Sequence, residues 1–418
     1  MSTVTSPEVR REGSLYQRYM HLTGVPAFIK SDGTVYLDAL AARDLSRHTY
    51  LAPAIRVVCP MIEVADPPPG TVAFQQEGFE FVALPHANGL ARYVLGGGWL
   101  RAVGTMWRQL GWADIAFMGC VEHPIPYGWT GVPFAAIRRV PWYTFIESTP
   151  WRVPPGVYPK LRHRIRGAIA ERINSVLFRR AAFAFVSHAA YADFLSRDCR
   201  YLVSPAAWFL HEEMATPTQI AAARREAARR APHLMYIGRL DPAKGVQPLL
   251  SALAKVDELG VELTFTVMGV GQLLAAVEHA ATTLRHVRLV VAAPVLYGPE
   301  FFKALRSVDA LVVPNLGDEQ SRNVFDAFSQ ALPVLASDTP GLRSVVTDEI
   351  EGRLVPAGDV SALAAAIAAL SNPSARAQWF GYGDAGYERA KVYDHDLMHA
   401  QRAAFIAGLS ASATRATP

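Results

Sequence analysis

The sequence predicts an α/β protein built from two doubly wound, largely parallel sheets in tandem. Three observations predict it. Short apolar, β-rich runs alternate with helical stretches through most of the chain. Several of those runs are continuously apolar, as strands become when helices cover both faces of a parallel sheet. The alternation breaks once, between Ser204 and Pro232, and then resumes. A chain of 418 residues has room for such a pair.

In the first half, strands are expected at 25–30, 56–60, 79–84, 115–119, 142–147 and 183–188, with helices at 37–48, 99–110 and 161–180. Thr216-Pro217 starts a helix in the break, with threonine at the cap and proline in the first turn. In the second half, strands are expected at 234–237, 264–269, 288–293, 310–315, 333–338 and 352–357, with helices at 246–259 and 301–307. A last helix at 394–409 is placed to cross back to the first half. The resulting organisation is a first α/β domain at 1–210, a linker at 211–232, a second α/β domain at 233–391, and a crossover helix and tail at 392–418.

Composition narrows the function. With 51% hydrophobic and 19% charged residues the chain is globular, neither disordered nor fibrous. Cys59, Cys120 and Cys199 are odd in number and far apart, which argues against a disulfide framework or a zinc site and for a reducing, cytoplasmic compartment. The N-terminus is too polar for a secretory signal, and no apolar run reaches about 18 residues. The basicity is local: residues 160–180 hold seven of the 41 Lys/Arg and one of the 37 Asp/Glu. That pattern favours one cationic surface facing something anionic over general nucleic-acid binding.

Two stretches carry the chemistry. In 236–246, YIGRLDPAKGV, a strand ends, Gly238 permits a tight turn, and Arg239 and Lys244 lie on the loop opening the next helix. A helix N-terminus with a guanidinium and an ammonium makes a diphosphate-sized site without a metal; the alternative is a solvated loop. In 311–341, Asp318 follows a buried strand and Asp326 lies in the next helix among Val324, Phe325, Ala327 and Phe328. A carboxylate there needs donors, and sugar or ribose hydroxyls are suitable; otherwise Asp318 caps the helix and Asp326 faces water.

Together these stretches resemble the family-4 glycosyltransferases of the GT-B fold, in which two Rossmann-like domains face a central cleft. The family's GRL…KG element matches Gly238-Arg239-Leu240 and Lys244-Gly245, and its E-x7-E element aligns with Asp318 and Asp326, both aspartate here. Later segments, PVLASDTPG and GRLVPAGD, match in order, with Ala331 where a glycine is usual. The resemblance covers about residues 233–372. It implies retaining transfer from a nucleotide-diphosphate sugar. Arg239 and Lys244 would hold the diphosphate, Asp318 the transferred sugar and Asp326 the ribose. Gly238, Gly269 and the loop Gln320-Ser321-Arg322-Asn323 would complete the donor site. It also carries a sugar-touching histidine to His123, against a packed or solvated loop histidine.

The family's glycine-rich loop after the first strand is missing, and 30–40 occupies its place, so Gly33 and Asp38 are the acceptor-side candidates, with Arg43 as another residue able to face the acceptor. Asp38 near a helix start is the competing reading. Gly269-Val270-Gly271 lacks the rest of a dinucleotide fingerprint, and Asp394-His395-Asp396 reads as a helix cap. No cofactor or metal is expected, and a nucleotide sugar and a glycan, lipid-linked or small-molecule acceptor are the expected partners. The apolar stripe Leu161, Ile165, Ile169, Ile173 and Val176 is expected to pack on the first sheet. Lys160, Arg162, Arg164 and Arg166 then face water, an anionic membrane surface or an anionic acceptor. A non-catalytic sugar-nucleotide binder and a nicotinamide-dependent oxidoreductase are the rival functions.

Overall fold

A computed structural model describes residues 16–85, 95–120, 126–154, 157, 160–370 and 372–414. The first sheet contains β1 (Arg18–Leu22), β2 (Ala27–Ile29), β3 (Val35–Asp38), β4 (Ala54–Glu63), β5 (Thr71–Ala73), β6 (Phe79–Leu84), β7 (Ile115–Met118), β8 (Trp142–Ile146), β9 (Phe183–Val186) and β10 (Arg200–Val203). Its order is β10-β9-β8-β7-β1-β4-β2-β3-β5, with β6 also on β4. The pairs from β10 through β4 to β6 are parallel, and β3 joins β2 and β5 antiparallel. The second sheet contains β11 (His233–Ile237), β12 (Leu263–Met268), β13 (Val287–Ala292), β14 (Ala310–Val313), β15 (Val334–Asp338) and β16 (Gly352–Pro356). Its order is β13-β12-β11-β14-β15-β16, parallel throughout. These are two Rossmann-like lobes.

The sequence explains the connections. Thr216 caps the helix Pro217–Ala227, accepting from the Gln219 N–H at 3.3 Å, while the Gln219 side chain accepts from the Thr216 N–H at 2.8 Å. This reciprocal pair satisfies two N–H groups that a helix start otherwise leaves without partners. The helix His395–Thr414 returns to the first lobe, where Ile406 lies fully buried in one apolar cluster with Tyr19, Val57 and Phe183. Asp394 caps it, accepting from the Leu397 N–H at 2.9 Å, as the sequence indicates for the Asp394-His395-Asp396 triplet.

One expectation reverses. The helix Leu161–Phe178 buries Ala170, Asn174, Leu177 and Phe178, not the predicted stripe. Leu161, Ile165, Ile169 and Val176 are exposed, and only Ile173 is half-buried against the core. At 100° per residue the stripe lies on the side opposite the packed face. The reason is steric. The Trp151 carbonyl oxygen sits 2.4 Å from where a Cβ on Gly167 would be, so the chain before the helix seats itself against the glycine face.

Candidate functional site

In doubly wound sheets, ligands bind beyond the carboxyl ends of the strands where the strand order reverses. That point is β1 in the first sheet and β11 in the second. Side chains following the strands of one lobe touch those following the strands of the other. Arg152, after β8, donates to Asp318, after β14, at 3.3 Å. The Ala206 N–H, after β10, donates to Gln320 at 3.0 Å. The two carboxyl edges therefore face each other across a cleft.

On the second lobe, β11 ends in Gly238-Arg239. Gly238 donates its N–H to Met268 at 3.1 Å, and a Cβ on Gly269 would lie 1.9 Å from the Gly238 carbonyl oxygen, so the two backbones lie in direct contact. Arg239 extends into solvent, 72% exposed, with Nε 3.5 Å from Asp241. Lys244 closes a short turn, and its ammonium donates to Glu319 at 2.5 Å. The Leu316 N–H donates to Ala243 at 3.0 Å, which fastens the Arg239–Lys244 loop to the loop carrying Asp318.

The donor-loop candidates divide. Arg322 is exposed, and Ser321 is half-buried. Gln320 is buried and seats the segment joining the lobes, and Asn323 donates to the Ile237 carbonyl at 2.7 Å, holding its helix to the end of β11. Asp326 is 0% exposed. One of its oxygens accepts from the Tyr297 hydroxyl at 2.6 Å, and the other is buried without a partner. The expected ribose contact does not fit this geometry, because no part of the carboxylate is open to the cleft.

Burial pushes Asp326 up to about 6, against the opposing hydrogen bond from Tyr297. A carboxyl whose folded pKa is raised stabilises the fold at low pH and loses that contribution as pH climbs through the folded value. The loss here amounts to about 2–3 kcal/mol between pH 4 and pH 7. Asp326→Asn should therefore unfold at a higher temperature than wild type at pH 7.5, and the gap should close at pH 4. Thermal unfolding across that range checks it; a gap that widens on acidification sinks the assignment.

The first lobe corrects the sequence reading. The first strand is β1, so the loop at the crossover point is Thr23-Gly24 rather than 30–40. Thr23 is 8% exposed and its hydroxyl accepts from the Val25 N–H at 3.2 Å. Gly33, with φ 85°, is the tip of the hairpin joining β2 and β3. Asp38 caps the helix Ala39–Ser46, accepting from the N–H groups of Leu40 and Ala41 at 3.0 and 3.2 Å. Both bonds go to Oδ1, the helix-start role that competes with the acceptor reading. Arg43 is paired with Glu213 at 2.9 and 2.8 Å. His123 lies outside the described residues.

Four residues to which the sequence reading gave no role in the site gather at the same strand ends. Glu319 holds Lys244. Arg152 bridges Glu171 at 2.7 Å and Asp318 at 3.3 Å. His188, after β9, is 1% exposed and lies over the Tyr191 ring at 3.9 Å. Burial lowers its pKa, opposed by the backbone and charge of Asp318. Glu147, after β8, is pushed up to about 7 by burial, opposed by Arg402 and Arg322. Position was the one available signal, since each follows the end of a strand or a recognised site residue. Exposed cations on one lobe suit a diphosphate, and the carboxylates between the lobes suit sugar hydroxyls.

Comparison with known proteins agrees. Residues 231–372 match the family model described as Glycosyl transferases group 1. Over 171 residues the chain is 33% identical to the phosphatidyl-myo-inositol mannosyltransferase of Mycobacterium leprae, covering 40% of this chain and 44% of that protein. It is 30% identical over 166 residues to the D-inositol 3-phosphate glycosyltransferase of Geodermatophilus obscurus, covering 37% of each. The matches thus span less than half the length of these relatives. Sucrose-phosphate synthase from Thermosynechococcus elongatus superposes with a TM-score of 0.70 at 16% identity, covering 95% of this chain and 100% of that one. Anabaena HepE in complex with UDP gives 0.63 at 14%, covering 94% and 100%. At such identities the likeness is one of architecture: the chain has the GT-B fold.

Proposed function

We propose that this chain is a retaining glycosyltransferase that moves a sugar from a nucleotide-diphosphate donor, held by the second lobe at the end of β11, to an acceptor entering from the first. The observation that carries the reading is the convergence of the Arg239–Lys244 loop and the Asp318–Glu319 loop at the crossover point of the second sheet. The group 1 match covers the same residues, and HepE, with the same fold, is a UDP complex by its description.

Breaking the anomeric bond develops negative charge on the leaving diphosphate. Arg239 is free to swing onto it, and Lys244 exchanges Glu319 for phosphate oxygens. Fixed cations aimed at charge that forms only in the transition state lower the barrier. Asp318 accepts from hydroxyls of the transferred sugar once Arg152 yields it. The leaving phosphate assists deprotonation of the acceptor on the same face, and closure of the lobes limits donor hydrolysis.

Thermal unfolding with UDP, GDP, ADP and their sugars, followed by transfer assays, tests the reading. One nucleotide and its sugar should stabilise the protein, and turnover should survive EDTA because protein cations do the work. Stabilisation by NAD alone, or an absolute Mg²⁺ or Mn²⁺ requirement for turnover, overturns it.

The acceptor is best supplied at an anionic membrane surface. Among the described residues no helix is long and apolar enough to cross a membrane. The outward face of Leu161–Phe178 instead combines exposed Leu161, Ile165, Ile169 and Val176 with exposed Arg162, Arg164 and Arg172, next to Lys160. Burying each such apolar side chain is worth about 1.5–3 kcal/mol, which this fold forgoes and a bilayer interface supplies. Each nearby cation adds about 1 kcal/mol on anionic lipid. The relatives' name, phosphatidyl-myo-inositol mannosyltransferase, describes transfer to an anionic lipid. The protein should cosediment with anionic but not neutral vesicles, less so as salt rises, and Arg162, Arg164 and Arg166 changed to Gln should weaken this without altering nucleotide affinity. Wild type that ignores anionic vesicles at low salt ends the membrane assignment and leaves the transferase one standing.

A further inference from the structure

We propose that Asp44, His48 and His399, with His395 beside them, form a site for a borderline divalent transition-metal ion such as Zn(II), which clips the C-terminal helix onto the first lobe. The residues come as two pairs, each four apart. Asp44 lies in the helix Ala39–Ser46 and His48 in the turn Arg47–Tyr50 that continues it; His395 and His399 open the helix His395–Thr414. Residues four apart on a helix share a face, so each element presents two donors to the other.

The geometry is close to that of a coordinated ion. One ligand atom from each of Asp44, His48 and His399 lies within 4.8 Å of the others. A tetrahedral ion with bonds of about 2.0–2.1 Å needs such atoms about 3.3 Å apart, a contraction that side-chain rotation supplies. His399 Nε2 is 2.9 Å from Asp44 Oδ1, and His48 Nε2 is 3.4 Å from Oδ2. His395 Nε2 is 3.9 Å from the same Oδ1.

The surroundings prepare His395 for ligation, while His399 has its Nδ1 buried without a partner. His395 Nδ1 is 3.2 Å from the Ala207 carbonyl, so that nitrogen carries the proton and Nε2 is left with a lone pair. This Nε2 is buried without a hydrogen-bond partner and faces a carboxylate oxygen. Two bases facing each other call for a cation between them. His48 Nδ1 is likewise 3.3 Å from the Tyr19 hydroxyl, an arrangement that orients Nε2 inward.

Neutral imidazoles with one carboxylate select Zn(II), Co(II) or Ni(II) over Mg²⁺ or Ca²⁺. Arg402 is the opposing charge, with Nη1 3.7 Å from Asp44 Oδ1. It has alternative partners in the Ser204 hydroxyl at 2.9 Å and the Phe145 ring at 4.6 Å. The side chain of Asp44, 26% exposed, gives the ion its way in.

The site uses none of the residues assigned to the transfer chemistry, so the two readings fail separately. Full-length protein stripped with EDTA is titrated with ZnCl₂, CoCl₂ and MgCl₂ by calorimetry and thermal unfolding. Zn²⁺ should bind one per chain and raise the unfolding temperature, Mg²⁺ should do neither, and Co²⁺ should give the visible bands of a tetrahedral N/O site. His399→Gln and His48→Gln should each weaken Zn²⁺ at least about 100-fold, and Arg402→Gln should tighten it about tenfold. Zn²⁺ that binds no better than Mg²⁺, a Co²⁺ complex without those bands, or affinity unmoved by the histidine changes overturns the site. The Co²⁺ spectrum decides the matter on wild type even if a variant fails to fold. Nucleotide stabilisation should be the same with and without EDTA.

Discussion

Lys244→Ala and Arg239→Ala should each lower sugar transfer by about 10²–10³-fold while leaving the protein folded. The two arise from different surroundings, which makes the pair informative. The Arg239 side chain has little to lose structurally, since it is 72% exposed and pairs loosely with Asp241. Its loss should appear almost wholly in turnover. Lys244 is 17% exposed and paired with Glu319, so its removal also leaves a partly buried carboxylate without its partner, a stability cost of about 1 kcal/mol. If the cation matters through charge that grows on the leaving diphosphate, kcat falls more than donor affinity does, and affinity for the free nucleoside diphosphate, which carries the added charge, falls as well. Near-wild-type turnover of both variants at saturating donor and acceptor removes the diphosphate assignment. Glu319→Gln separates the roles further. It frees Lys244 without deleting it, so it should preserve activity where Lys244→Ala does not.

The second lobe was the more legible half, and the reason is burial. Its strands run Leu-Met-Tyr-Ile, Leu-Val-Val and Val-Leu-Ala, apolar on both faces, and the structure places them within two residues of the expected bounds. In the first lobe β1 reads Arg-Tyr-Met-His-Leu, and its two basic residues interrupt the pattern. Arg18 pairs with distant Asp114 at 2.7 Å, and His21 bonds Tyr19 of the same strand at 2.7 Å and stacks on distant Phe117. Missing β1 placed the loop after the first strand at 30–40, where the structure has Thr23-Gly24. The helix Tyr127–Arg138 was hidden by Gly128, Gly131 and Pro133.

Within the site, loop residues next to a recognised motif were legible as a neighbourhood but not as contacts. Asp318 and Glu319 are adjacent in sequence, yet one faces Arg152 on the other lobe and the other faces Lys244. The histidine and aspartate cluster was invisible for a plainer reason, since its halves are some 350 residues apart. A departure from pattern did carry through to the backbone. Ala331, standing where the resemblance places glycine, keeps a φ of 54°, a left-handed conformation that costs an alanine about 1 kcal/mol.

Gly245→Ala should destabilise the fold by about 3 kcal/mol or more and abolish nucleotide stabilisation with it. Gly245 ends the turn that carries Lys244 and begins the helix Val246–Glu258, with φ 72°. Any side chain there meets a left-handed backbone, worth about 1–2 kcal/mol. It also meets an obstacle, because its Cβ would lie 1.8 Å from the Pro314 carbonyl oxygen. That oxygen belongs to the loop leading to Asp318, and the loop is itself tied back by the Leu316 N–H to Ala243 at 3.0 Å, so neither side can retreat alone. Relieving the overlap must therefore part the cation loop from the carboxylate loop, which is the contact that assembles the site. Gly260 supplies the control: its φ is 71°, but nothing lies within 4 Å of an added Cβ. Gly260→Ala should lose only the backbone share, about 1 kcal/mol, and keep nucleotide binding intact. Equal losses in the two variants would show that strain alone, and not the close approach to Pro314, fixes the glycine after Lys244.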